Sequence, residues 1–149
     1  MRRLWLTAVL GLIVLTGSFA AAQEGNKSAD LYGAWFTSGS VVPGQRYVGH
    51  PESVLPQPTK HFSRATEAGA RLIIVLKNPN AHALAGVLND STGKVRQHMK
   101  VDLQSAAPGL AWRFTSYRFP LEKLEPGEYK FDLTIDGTPA GAYPLSIVP

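Results

Sequence analysis

Two stretches of this chain alternate their side chains between two faces without a break. From Val95 to Leu103 one face carries Val95, Gln97, Met99, Val101 and Leu103, and the other Arg96, His98, Lys100 and Asp102. From Glu128 to Ile135 the series Tyr129, Phe131, Leu133, Ile135 interleaves with Glu128, Lys130, Asp132, Thr134. A period of two belongs to a strand with one face against a core and the other in water. Asp136-Gly137 then supplies the favoured pair for a two-residue hairpin.

The rest of the chain agrees. Leu31 to Thr37 is short and aromatic, and Arg71 to Lys77 is an apolar run rich in β-branched residues that reads as a core strand. Leu84 to Leu88 is a weaker strand, followed by turn chemistry at Asn89-Asp-Ser-Thr-Gly93. Ala111 to Phe119 is an aromatic strand with Trp112 and Phe114 on one face. The last strand, Ala140 to Val148, turns Tyr143, Leu145 and Ile147 inward, and Pro144 predicts that it lies at a sheet edge. Only Phe62 to Gly69 leaves room for a helical turn. The expectation is all-β: a small antiparallel sandwich of about seven or eight strands, forming one domain over residues 31–148. With 44% hydrophobic and 17% charged residues, the composition suits one packed core and not a disordered chain.

Leu124-Glu-Pro-Gly-Glu-Tyr129, an alternating strand, a glycine hairpin and a final strand together resemble the end of an immunoglobulin-like or fibronectin-type-III-like domain of bacterial exported proteins. Glu67 to Asn78 is similar to the first strands of such modules, so the resemblance spans residues 62–148. It implies a sandwich whose Tyr129 phenol bonds back to nearby backbone, as in a tyrosine corner. It implies no activity, since such sandwiches carry many unrelated functions. The Cys…Trp…Cys spacing of antibody domains is absent.

Residues 1–22 read as a targeting segment. Arg2 and Arg3 precede an uncharged apolar run, and Ala20 and Ala22 give the small-x-small pattern that signal peptidase cuts, releasing Gln23. The alternative is an N-terminal inner-membrane anchor, because 19 uncharged residues run from Leu4 to Ala22. Export to the periplasm or beyond is the expectation, with residues 23–30 as a flexible leader and no membrane span after cleavage. Cleavage also changes the charge. The chain is +4, but Arg2 and Arg3 leave while all eleven acids stay, so thirteen bases remain and the balance is +2. The basicity that pointed to a nucleic-acid partner is partly a targeting signal.

One segment breaks the strand pattern. Residues 38–59 hold Pro43, Pro51, Pro56, Pro58, Gly39, Gly44 and Gly49, too many for long regular structure. A loop of this length in a compact domain is usually functional, disordered, or a passive strap.

Chemistry is sparse. There are no cysteines, hence no disulfide, thiolate site or cysteine nucleophile. His50, His61, His82 and His98 match no local ligand spacing; His50 and His61, flanking the loop, are the weak metal candidates. No Gly-x-Ser-x-Gly, His-Glu-x-x-His or Ser-x-x-Lys motif occurs. Ser91-Thr-Gly-Lys94 looks like the tail of a phosphate loop without its approach or helix, and a hairpin turn accounts for it. Arg96, His98 and Lys100, joined by Lys130, and by Arg113 and Arg118 if their strands are adjacent, form a candidate interaction surface on a sheet face. The expectation is a monomeric, non-enzymatic binding or accessory module of the bacterial envelope, needing no cofactor, whose partner is an envelope protein or an anionic envelope polymer. The alternative is a small periplasmic carrier or sensor holding a metal ion or other small ligand near residues 38–61.

Overall fold

A computed structural model describes residues 30–42, 47–77, 83–104 and 109–149. The residues proposed for signal cleavage, Ala22 and Gln23, lie outside them, as does His82. Among these residues eight strands run in chain order: β1 (Leu31–Thr37), β2 (His61–Ser63), β3 (Gly69–Leu76), β4 (Ala83–Asp90), β5 (Val95–Asp102), β6 (Arg113–Pro120), β7 (Gly127–Ile135) and β8 (Thr138–Val148). A single helical turn, α1 (Pro51–Val54), sits in the proline-rich segment. The strands form two sheets, β1-β3-β6 and β2-β8-β7-β4-β5.

This order is that of an immunoglobulin-like sandwich. The first sheet matches strands A, B and E; β8-β7-β4-β5 matches G, F, C and C′, and β2 pairs in parallel with the end of β8. The corner before β7 is built as the resemblance implies, with the Tyr129 phenol donating to the Glu125 carbonyl at 2.7 Å. At the β7–β8 hairpin Asp136 and Gly137 both take positive φ, 48° and 80°, as the Asp-Gly pair requires.

Between the sheets the alternating residues meet. Tyr129, Phe131, Leu133 and Ile135 of β7 and Tyr143, Leu145 and Ile147 of β8 are buried against Leu72, Ile74 and Leu76 of β3. Aromatic rings join the layers: Phe119 of β6 lies 5.4 Å from Phe131 of β7, and Phe36 of β1 lies 5.9 Å from Phe119 and 6.4 Å from Phe62 of β2.

Two sequence expectations need correction, and a third is met only as a lone turn. Within Phe62 to Gly69, Phe62 is buried in β2, because its partner Ile147 continues the core face there, and the Ser63 carbonyl accepts the amides of Thr66 and Glu67 at 3.3 and 2.9 Å, a turn that goes no further as helix. Val95 is 41% exposed and not in the core, since the ladder between β4 and β5 shifts register between Leu88 and Asn89 and breaks the alternation at that end. β8 is an edge only in part. β2 covers Ser146 to Val148, while Pro144 pairs with Lys130 of β7 and lies beyond the reach of β2.

Candidate functional site

The outer face of a three-stranded sheet is ordinarily wet, and here it is not. Ile73 and Val75 of β3 point away from the main core, yet both are 0% exposed. In register with Ile73 stand Trp35 of β1 and Ser116 of β6, and with Val75 stands Phe114. Ile73, Val75, Trp35 and Phe114, with Tyr32, Trp112, Val41, Tyr47, Val54 and Leu55, make a second apolar cluster. Its cover is the described part of the proline-rich segment, residues 38–42 and 47–59, which lies across the sheet as a strap.

Hydrogen bonds from below fix the strap. The Trp35 indole Nε1 donates to the Pro56 carbonyl at 2.8 Å, and the Trp112 Nε1 to the Gly49 carbonyl at 2.9 Å. The Thr37 hydroxyl donates to the Gln57 carbonyl at 2.7 Å, and the Thr59 amide returns to the Phe36 carbonyl at 2.7 Å. Pro56 offers no N–H and α1 begins at Pro51, so acceptors are what these stretches can supply, and indoles are donors only. The Tyr47 ring meets Phe114 edge-on at 5.3 Å. Desolvation here pushes the Tyr32 phenol above its usual value, with the nearby Glu52 carboxylate adding to the effect. Outward, the strap presents Val48, 80% exposed, and Val42, 57% exposed, the two most exposed large apolar side chains among the described residues.

The strap's docking on the sheet was not legible from composition, but one signal was available. Leu72 to Leu76 is apolar at every position, and such a run needs cover on both faces, whereas an antiparallel sheet with one wet face alternates.

The basic residues fall elsewhere. His98 and Lys100 of β5 sit opposite Val87 and Ala85 of β4, and Lys130 of β7 opposite Asn89, so these three share the outer face of the five-stranded sheet. Their charge is partly matched, since Lys130 Nζ is 3.5 Å from Asp132. Arg96 is committed to a turn: its Nε donates to Asp90 Oδ2 at 2.7 Å. The same carboxylate accepts the Thr92 hydroxyl at 2.6 Å and the amides of Thr92 and Lys94 at 2.9 and 3.0 Å. The Thr92 hydroxyl foremost, with Arg96 and the two amides, holds the Asp90 carboxyl well below the usual carboxylate range, outweighing a desolvation that ranks second among the influences and acts the other way. Ser91-Thr-Gly-Lys94 is accordingly a hairpin turn organised by Asp90. Arg113 and Arg118 belong to β6, in the other sheet, and do not join the face that carries His98.

His50 is exposed and caps α1 with its carbonyl, which accepts the amides of Ser53 and Val54; His61 is exposed at the start of β2. Among the described residues no three histidine or acidic side chains gather as a set that could hold a metal ion. Among the same residues no helix is long and apolar enough to cross a membrane.

No family model matches this chain, and no curated protein matches it. Among solved structures it is similar to an immunoglobulin-like protein from Pseudomonas aeruginosa, at 12% identity and a TM-score of 0.44, covering 85% of this chain and 99% of that one. It is also similar to part of a β-glucosidase from Listeria innocua, at 14% identity and a TM-score of 0.40. That match covers 72% of this chain but spans only 20% of the enzyme. Likenesses this distant carry nothing about activity; the strand order and the tyrosine corner define the fold.

Proposed function

We propose that this protein is an exported, non-enzymatic binding module of the bacterial envelope, with the strap as its contact surface. The observation that carries the reading is the pairing of a fixed underside with an apolar outside. Two indoles, a threonine hydroxyl and a second apolar cluster hold the strap to the sheet, and it turns Val42 and Val48 to solvent. A surface prepared in this way loses little conformational freedom on meeting a partner, which is what makes a contact site efficient. The N-terminal pattern of Arg2, Arg3, an apolar run and Ala20-x-Ala22 supports export. The absence of nucleophile and metalloprotease motifs supports a role other than catalysis.

The test compares the natural chain with a Val42→Asp/Val48→Asp variant, both tagged at the C-terminus and expressed from the full sequence in a Gram-negative host. Export predicts a mature N-terminus at Gln23 in the periplasmic fraction. Partners crosslinked to the natural chain are expected to be lost from the variant, whose melting temperature stays unchanged because both sites are solvent-facing. Identical partner sets for the two chains would defeat the assignment of the strap.

A further inference from the structure

At the foot of the strap two arginines face each other with no acid between them. Arg71 of β3 and Arg118 of β6 are direct cross-strand partners on the outer face of the three-stranded sheet. Like charges placed directly opposite in a sheet repel. Among the described residues neither makes an ion pair; Arg71 Nη1 donates to the Ser116 hydroxyl at 3.1 Å and the Arg118 guanidinium makes no hydrogen bond. Glu67 also lines the cleft; its Oε2 accepts the Ser63 amide at 2.8 Å and it pairs with neither arginine, and two guanidinium groups against one carboxylate leave the cleft net positive.

The backbone makes room for this pairing. Arg118 lies over the bare Cα of Gly69, and a Cβ on that residue would stand 2.8 Å from the arginine Cγ and closer still to its Nε. The Arg118 side chain is thereby laid diagonally over Gly69, while Arg71 reaches the other way, to Ser116. Together they line an open cleft of about 400 Å³ whose other walls include Ser38, Ser40, Thr66 and Glu67. Two arginines and the hydroxyl residues Ser38, Ser40 and Thr66 line it, and a phosphate group offers several oxygens and up to two charges to donors spread in this way. The volume exceeds a bare ion and reaches the range of small-ligand clefts, which begins at roughly 300 Å³.

We propose that the Arg71–Arg118 cleft binds a phosphate group carried on a larger molecule. The proposal deepens the binding-module reading and rests on it, by naming the chemistry of one ligand; it makes no use of Val42 or Val48.

Thermal unfolding of the purified chain in inorganic phosphate, with ionic strength held constant by chloride, tests it. Near tenfold above the dissociation constant, phosphate is expected to raise the melting temperature by about 3–6 °C. Arg71→Gln and Arg118→Gln are each expected to abolish that rise, while melting at or above the natural temperature without phosphate, because the repulsion is relieved. Co-sedimentation with phosphatidylcholine vesicles containing phosphatidic acid separates the sources. Binding there that Arg118→Gln abolishes assigns the group to a lipid, and a phosphate shift without vesicle binding assigns it to a soluble phosphate. No response to phosphate or vesicles, or a response that Arg118→Gln leaves intact, overturns the site. The two readings fail separately: Val42→Asp/Val48→Asp keeps the phosphate response if the cleft is real, and the arginine variants keep strap partners if only the cleft is wrong.

Discussion

Tyr129 closes the corner before β7 through one hydrogen bond, to the Glu125 carbonyl. Its ring is buried with the main core, so Tyr129→Phe keeps the packing and removes only the hydroxyl. The expected loss is about 1 kcal/mol, read as a shift in the urea midpoint with the slope unchanged. Asp90 acts by charge. Its carboxyl is held below the ordinary value of 3.8 in the folded chain, so the folded state favours the ionised form. Its contribution is therefore present above the unfolded value and is lost as pH falls through the folded one. Asp90→Asn is expected to melt below the natural chain at neutral pH. The gap should close as pH drops from about 5 toward 2, and melting curves over that range check it. A gap that widened in acid would mean that Asp90 is not the group involved. Residues such as these were legible in part. The Leu-x-Pro-Gly-x-Tyr segment exposed the corner, whereas the bond from Arg96 to Asp90 depends on a register shift that no local pattern encodes.

Among the elements, the strands were readable because each must meet a core and its alternation records which face does so. Where the reading failed, the cause was tertiary. Val95 lies at the shifted end of the β4–β5 ladder, and Pro144 marks an edge that β2 covers only from Ser146 onward. The strap was visible as an anomaly of Pro43, Pro51, Pro56 and Pro58, but its docking was not, because the indole of Trp35 meets Pro56 across 21 residues. That docking has a measurable consequence. Trp35→Phe/Trp112→Phe retains aromatic cover and removes both indole donors, each bond worth about 0.5–1.5 kcal/mol. Limited proteolysis is expected to cut the variant faster within residues 47–59 while the sandwich resists as before. Cleavage spread evenly along the chain would show that the strap and the sandwich open as one unit.

At the scale of the molecule, β3 serves two cores. Leu72, Ile74 and Leu76 face the large cluster between the sheets, and Ile73 and Val75 face the small one beneath the strap. The small cluster has three fully buried members, Leu55 among them, whereas the large one is tied across both layers by Phe36, Phe62, Phe119 and Phe131. Local opening follows local packing, so the strap should open at lower free energy than the sandwich. Gly86 of β4 separates the two levels. A Cβ there would stand 2.5 Å from the Asp132 carbonyl oxygen and would collide with the Phe131 ring, so neither backbone nor core can yield cheaply. Gly86→Ala is expected to cost about 1–3 kcal/mol. In native-state hydrogen exchange that cost should fall on the slow amides of β3, β4 and β7 and on the strap amides only near the unfolding midpoint. The double tryptophan variant should do the reverse, hastening Val54 and Leu55 while the slow amides hold. If Gly86→Ala accelerated the strap and the sandwich by the same factor in the absence of denaturant, the two clusters would be one cooperative unit, and the strap would not open on its own.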